Sequence, residues 1–430
     1  MAGKLRSTRF TNKGMLRMQL ASDIGLPEAS PVQGPRILRS LEEAVEGARE
    51  LKADIAARCA DVEAERKISD VSIADLKRGG LFGLVGSRKF GGSEVGVEAL
   101  VRVTIEIAEA CGSTGWVFGV LAGHSWMLNL FPAKAQEEVA ALPGALMATL
   151  FRLSADVSVA EGGFILKGGS GRFCSGVDFA DWIIASAPVT RKDGQVEQRF
   201  FLLPRSDIEI VDDWFTVGMR GTGSRSIKVA DAFIPEHRSV LVTDMVGGLA
   251  PGAIFHNKPI YRLPFGTVTP FSIAGAPLGM ARGAVKSFAD SLQASLENNV
   301  SPPAGRDAML TELSRASVIV DAAISVVISD AAKIDRVTSP EEFGELERKE
   351  LPRNWCWAIQ ACRKAINDLY ALSGGSVIYE NSSFQRFWRD INSAAQHIGF
   401  TENKAMVDYG LARLGLPAQP YIIPSKKPPM

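Results

Sequence analysis

Nothing in these 430 residues approaches the roughly 18 consecutive apolar residues that a membrane span requires. An excess of charge is also missing. The 48 basic and 48 acidic side chains cancel at pH 7, which argues against nucleic acid or an anionic membrane as the main partner. Cysteine is scarce: there are five, none in a CxxC pair, as expected of reduced thiols in a cytoplasmic protein. Cys356 and Cys362 stand in an apolar helical pattern and read as core residues. The histidines, at 124, 237, 256 and 397, have no metal-ligand spacing. No GxGxxG follows a strand and opens a helix; Gly80-x-x-Gly83-x-x-Gly86 and Gly221-x-Gly223 have the wrong spacing or context. There is no P-loop, and Gly123-x-Ser125 lacks the second glycine of a nucleophile elbow. These absences disfavour a nicotinamide-binding Rossmann unit, a kinase, a metalloenzyme and a hydrolase. The basic N-terminus (Lys4, Arg6, Arg9, Lys13, Arg17) has no apolar core before a cleavage site and reads as a mobile tail rather than a signal peptide.

What is present is a β island between two helical blocks. With 46% hydrophobic residues the chain has ample material for a large core. Short apolar runs at Phe164–Leu166, Trp182–Ala185, Phe200–Leu203, Ile208–Val211 and Ile227–Val229 are each punctuated by Gly, Pro, Asp or Ser, the signature of strands. Before them, Ile37, Leu41, Val45, Ala48, Leu51 and Ile55 fall at helical spacing. Ser72 with Asp75 reads as a helix start ended by Gly79-Gly80. A helix follows over about Val97–Cys111, then the glycine-broken stretch STGWVFGVLAGHSWMLNLF, then a short helix after Pro132. After the island, Phe271–Gly283 runs into a long helix. Leu310 to Ala331 and Trp355 to Leu369 give two further helical faces, the second ended by Gly374-Gly375. Ser339, Pro340 and Glu342 form a helix start. FQRFWRDINSAAQHIGF is expected to lie in one last helix running to about Leu416. The expected organisation is a mobile tail over 1–35, a helical domain over 36–144, a β domain over 145–247, a four-helix bundle with its lead-in loop over 248–416, and an extended tail over 417–430.

Helices, then a small β-barrel, then a four-helix bundle resembles the acyl-CoA dehydrogenase superfamily. Three motifs in order, GGFILKG-x-x-GRFCSGVDFADW, DWFTVGMRGTGSRSIKVADAFIPEHR and SFQRFWRDINSAAQH, resemble the oxygenase component of two-component flavin-dependent monooxygenases. That branch includes the 4-hydroxyphenylacetate, secosteroid-phenol, indole-acetate and dibenzothiophene oxygenases, and the resemblance covers about residues 36–416. Phe173 stands where many relatives have Trp. The resemblance implies a mainly α fold with a central β-barrel and a homotetramer. It also implies reduced FMN or FAD delivered by a separate NAD(P)H-dependent reductase, O2 as co-substrate, and hydroxylation of a phenol or indole through a flavin C4a-hydroperoxide. Heteroatom oxygenation at sulfur or nitrogen stays open within the same fold. An acyl-CoA dehydrogenase-like desaturase or flavin oxidase is the enzyme alternative, and a catalytically silent flavin-binding scaffold a third. The dehydrogenase branch is disfavoured because Arg389-Asp390 is followed by INSAAQHIGF, with no carboxylate to serve as base.

By this resemblance Ser175 contacts the flavin N5, and Phe173, Cys174 and Gly176 pass the ring. Arg220, Thr222, Ser224 and Arg225 are candidates for the ring edge or ribityl chain. Gly374, Gly375 and Ser376 are candidates for the flavin phosphate, from a neighbouring subunit as in family members, with Arg306 a weaker one. His124 is the candidate base, since an imidazole with a reference pKa near 6.5 takes a phenolic or indolic proton at neutral pH. Around it the small residues Gly119, Ala122 and Gly123 suggest room for a ligand, and Trp116, Phe118, Trp126 and Met127 suggest its apolar walls. His397 is the candidate that steadies charge or donates a proton where oxygen reacts. Arg389 and Asp390 are expected to be structural, as is His237. Trp182 is expected under the sheet or beside the flavin, and Tyr261, Arg262 and Phe265 in a loop over the substrate.

Overall fold

The computed structural model describes residues 36–191, 193–297 and 305–417; the expected tails over 1–35 and 417–430 lie outside them, save for Pro417. The first helical block contains α1 (Leu41–Ala57), α2 (Cys59–Glu65), α3 (Asp70–Arg78), α4 (Val97–Ala110), α5 (Gly112–Leu128) and α6 (Ala133–Ala140). Ser40 caps α1 by accepting the Glu43 N–H, and acidic Glu42 and Glu43 fill its first turn, as the helix dipole favours. Helix α5 is apolar on every side and nearly all buried, the pattern of a central helix rather than a surface one. Its glycines serve close packing. A Cβ on Gly119 would lie 2.2 Å from the Ser272 carbonyl oxygen, and one on Gly123 2.3 Å from Ser272 Cβ. The space that these small residues leave is therefore filled by the start of a bundle helix and not by a ligand.

The bundle consists of α7 (Phe271–Glu297), α8 (Arg306–Asp335), α9 (Glu345–Leu372), α10 (Ser383–Ala394) and α11 (Glu402–Arg413). Its α7 packs along α4 and α5, so bundle and first block share one core. Asp335, at the end of α8, accepts the N–H groups of Val97 (2.7 Å) and Glu98 (2.8 Å), filling donors that the start of α4 leaves open. Lys52 of α1 bonds Glu106 (2.9 Å) and Glu109 (2.8 Å) of α4, and Arg282 of α7 reaches Glu106 at 3.1 Å.

Between the helical blocks lie β1 (Met147–Leu150), β2 (Ser154–Ala160), β3 (Gly163–Gly171), β4 (Trp182–Thr190), β5 (Val196–Pro204), β6 (Ile208–Val211), β7 (Ser226–Val229), β8 (Ala232–Pro235) and β9 (Ser239–Leu241). All five apolar runs read from the sequence fall in strands. The pairing order is β6-β7-β3-β2-β4-β5-β9, with β1 parallel to β4 and β8 antiparallel to β3. Among the described residues this is a path with two ends, β6 and β9, so the pairing does not by itself confirm the expected barrel.

Three helix boundaries differ from the sequence reading. Helix α3 starts at Asp70 after Ser69, while Ser72 is buried inside it and accepts a bond from Arg58 Nη1 at 3.2 Å. Pro340–Glu342 forms a single 3-10 turn and α9 begins only at Glu345, because Phe343 is drawn into the core. The expected last helix is broken at 395–401 into α10 and α11. The break is held from α9: Trp355 Nε1 donates to the Gly399 carbonyl at 3.1 Å, and Gln360 Nε2 to those of Ala395 (3.2 Å) and Phe400 (3.3 Å).

Candidate active site

Residues from all three blocks meet at Trp116. From α5 its Nε1–H donates to Ser175 Oγ at 3.2 Å. Ser175 sits in the connection from β3 to β4, between Phe173 and Gly176, both in the left-handed region (φ 68° and 75°). A Cβ on Gly176 would approach Leu121 Cδ2 to 2.9 Å, so only glycine lets this turn close on α5. From Ser175 a chain of hydroxyls leads inward: Oγ to Ser224 Oγ at 2.7 Å, then to Thr222 Oγ1 at 2.8 Å. Thr222 Oγ1–H donates to the Met219 carbonyl at 2.9 Å. Trp116 also meets the rings of His397 (centroids 5.7 Å apart) and Phe400 (6.4 Å).

The two candidate histidines are held in opposite tautomers. His124 is buried, and its Nδ1 lies 2.7 Å from the Met147 carbonyl at the start of β1. A carbonyl only accepts, so Nδ1 carries the hydrogen and Nε2 keeps its lone pair. Burial pushes its pKa down to about 4. His397 lies in the break after α10, where its Nδ1 accepts the Gly399 N–H at 3.1 Å. Its neutral ring therefore carries the hydrogen on Nε2. Burial also lowers its pKa to about 4. At neutral pH one imidazole is an acceptor at Nε2 and the other a donor.

The segment that carries Thr222 and Ser224 is tied down from several sides. Arg225 is buried, bonded to Asp178, and its Nε donates to Asp212 at 3.1 Å. Arg66 of the α2 end clamps the same Asp212 with two bonds, 2.7 and 2.8 Å. Arg389 Nη1 donates to the Val217 carbonyl at 2.7 Å, while Arg389 and Arg386 share Glu63 of α2 at 2.6 and 2.9 Å. Asp390 accepts the Met219 N–H. The Arg389-Asp390 pair thus joins the bundle to the β-domain loop and to the first block.

The other candidates are spread more widely. Cys174 has its side chain wholly in the core, with burial raising the thiol to about 12, and its N–H bonds the Arg225 carbonyl at 3.1 Å. Phe173 is 66% exposed, with its ring edge-on to Trp214. Phe118 packs in the core against Phe82, and Met127 accepts from Thr149 Oγ1 at 3.8 Å. Trp126 faces a small cavity shared with Gly123, Thr269 and Ser272. Arg220 is half-buried at the head of its turn. Gly375 and Ser376 lie exposed in the turn after α9, and Arg306 is exposed at the start of α8. Trp182 is half-buried under the Arg238 guanidinium (5.0 Å). His237 bonds Glu138 at 2.7 Å, a surface tie to α6. Tyr261 is buried and donates to Glu94 at 3.0 Å, and Phe265 lies against Trp126 and Phe200. The sequence reading missed the linkage of Thr222 and Ser224 to Ser175. Its one signal was the density of Ser, Thr and Gly in GMRGTGSRS. It also missed Met219, which lies in the same GMRGTGSRS stretch but was not singled out, because its part is played by the backbone carbonyl and N–H rather than by its side chain.

Residues 40–144 match the family described as acyl-CoA dehydrogenase, N-terminal domain, and residues 271–402 the acyl-CoA dehydrogenase C-terminal domain. The chain is 31% identical over 369 residues to the flavin-dependent monooxygenase, oxygenase subunit HsaA, of Rhodococcus jostii (strain RHA1), covering 84% of this chain and 95% of that protein. It is 30% identical over 369 residues to the FADH(2)-dependent resorcinol hydroxylase, oxygenase component, of Rhizobium sp. (strain MTP-10005), covering 82% and 90%. The crystal structure of the HsaA monooxygenase from M. tuberculosis superimposes with a TM-score of 0.81 at 29% identity, covering 89% of this chain and 99% of that one.

Proposed function

Since the chain belongs to the oxygenase subunits of flavin-dependent monooxygenases, an oxidoreductase family, we propose that it hydroxylates a phenol or an indole with a small side chain. The flavin reaches such an oxygenase component already reduced by a separate reductase. When bound, reduced flavin supplies the electrons that activate O2, so that one oxygen atom passes to the substrate and the other leaves as water. The residues present fit this group. Ser175 Oγ, bonded to Trp116 and Ser224, retains a free lone pair. His397 offers an N–H beside Trp116.

The observation that carries the reading is the meeting of Trp116, Ser175 and His397 from three separate parts of the chain, with His124 on the same helix as Trp116. Ser175 and His397 serve the flavin side, and His124 serves the substrate. His124 Nε2 accepts the hydrogen of a ring hydroxyl or indole N–H. Burial alone makes its imidazolium costly, but a phenolic oxygen gaining negative charge beside it raises its basicity again. Partial proton withdrawal makes the ring more electron-rich at the carbon that receives oxygen. The resorcinol hydroxylase among the relatives supports a phenol as the class. The Gly374–Ser376 turn, exposed at Gly375 and Ser376, would hold the flavin phosphate of a neighbouring subunit in a homotetramer, and the helical, β and bundle segments would act as three domains around the site.

A single-turnover experiment tests this. The protein is loaded anaerobically with reduced FAD or FMN and mixed with oxygenated buffer containing a panel of phenols and indoles. Hydroxylated product formed per flavin oxidised supports the reading. Stoichiometric hydrogen peroxide with no product across the panel overturns it.

A further inference from the structure

The hydroxyl chain behind Ser175 has a direction that can be counted out. Each Ser or Thr hydroxyl has one hydrogen to give. Thr222 Oγ1 lies 2.9 Å from the Met219 carbonyl oxygen, which only accepts, so the Thr222 hydrogen is spent there. The contact of 2.8 Å between Thr222 and Ser224 then requires the Ser224 hydrogen, because two oxygens that close need one between them. The contact of 2.7 Å between Ser224 and Ser175 in turn requires the hydrogen of Ser175. On the opposite side, Trp116 Nε1 only donates, so it adds a second bond into Ser175 Oγ. Ser175 is left with no hydrogen to offer and one lone pair to fill.

We propose that the Met219–Thr222–Ser224 chain locks Ser175 as a hydrogen-bond acceptor toward the flavin and thereby makes the site select reduced over oxidised flavin. This rests on the reading that Ser175 faces the flavin ring. A reduced flavin carries N5–H, a donor; an oxidised flavin has a bare N5 lone pair there. An acceptor-only Ser175 completes a bond with the first and opposes the second. Thr222 and Ser224, buried with 2% and 4% exposure, act through Ser175 as positioning residues rather than touching the flavin. Their anchor is rigid. Met219 is in the left-handed region (φ 56°), and the Trp214 Nε1–H (3.0 Å) and the Thr222 N–H (3.1 Å) share the two lone pairs of its carbonyl with the Thr222 hydroxyl, one of them in a three-centre bond. The mechanism has no need of an added charge. It uses only the fact that a carbonyl cannot donate.

The test compares binding of oxidised and anaerobically reduced FAD and FMN to wild type, Thr222→Val, Thr222→Ser and Ser224→Ala. Valine keeps the shape of Thr222 but cannot accept from Ser224. Ser224→Ala removes the acceptor of the Ser175 hydrogen directly. Either change frees Ser175 to turn its hydrogen toward N5. The ratio of oxidised to reduced Kd should fall by about five- to tenfold in both, the worth of one hydrogen bond, and Thr222→Ser should restore it. An unchanged ratio in either folded variant, with both redox forms weakened alike, overturns the proposal. So does Thr222→Ser behaving like Thr222→Val. If wild type itself fails to prefer reduced flavin, it is the oxygenase reading that falls; if wild type prefers it and the variants do so equally, only the hydroxyl lock falls.

Discussion

Asp390 Oδ1 accepts the backbone N–H of Met219 at 2.6 Å, across 171 residues of sequence. Through this bond a helix of the C-terminal bundle holds the loop whose carbonyl terminates the hydroxyl chain behind Ser175. Gly112, the first residue of α5, lies against the same carboxyl; a Cβ there would stand 2.9 Å from Asp390 Oδ2. One side chain therefore sets the spacing between the helix that carries Trp116 and the loop that carries Thr222 and Ser224.

Asp390 is enclosed, and burial pushes its carboxyl up to about 7. The folded protein thus keeps this proton to higher pH than the unfolded chain, which loses it near pH 4. The group's contribution to stability is complete below about pH 4 and is lost as the pH rises through about 7. An Asp390→Asn variant has no such proton. Its melting temperature relative to wild type should climb from about pH 5 to about pH 8. A difference that stays constant over that range would show that Asp390 does not titrate there.

His124→Asn should leave flavin binding and thermal stability close to wild type while lowering phenol hydroxylation by about 100-fold or more, the usual contribution of general acid–base help. Oxygen consumption continues, so hydrogen peroxide replaces product. Full turnover of a thioether by the same variant would point to sulfur oxygenation, which needs no base. Retained phenol turnover would remove His124 from the chemistry.

The acceptor at Ser175 is lost in Ser175→Ala. Reduced flavin should then bind about five- to tenfold more weakly, and the peroxide released per oxygen consumed should increase. Anaerobic titration and a peroxide assay read the two effects separately.

Packing of α5 on α7 can be checked with two alanines. Gly123→Ala places a methyl 2.3 Å from Ser272 Cβ, and overpacking of this kind costs about 1–3 kcal/mol. Gly266→Ala meets nothing within 4 Å and should be neutral or slightly stabilising, because alanine loses less backbone freedom. Equal melting temperatures for the two variants would contradict the close approach.

The helices and the β island could be read from local pattern, because burial imposes its period on the residues that face the core. Ile227–Val229 and Phe200–Leu203 become strands, and Val97–Ala110 a helix, for that reason. Ser175, His124 and His397 were likewise legible as candidates, since their motifs lie within short stretches. The glycines of α5 were misread as space for a ligand, because a sequence shows that a side chain is absent and not what fills its place. The break at 395–401 was hidden for a similar reason. SAAQHIGF has acceptable helical pattern, and only the indole of Trp355 and the amide of Gln360, from another helix, divert its carbonyls.

The sequence by itself determined the element types, the order of the three blocks and the residue types available to the site. Tertiary structure alone decided which nitrogen of each histidine carries its hydrogen and which way the hydroxyls point. Those choices depend on partners at Met147, Gly399 and Met219. A carbonyl or an N–H fixes a proton's place only once the chain has folded to bring it within about 3 Å, and for Met147 and His124 no motif spacing records that approach.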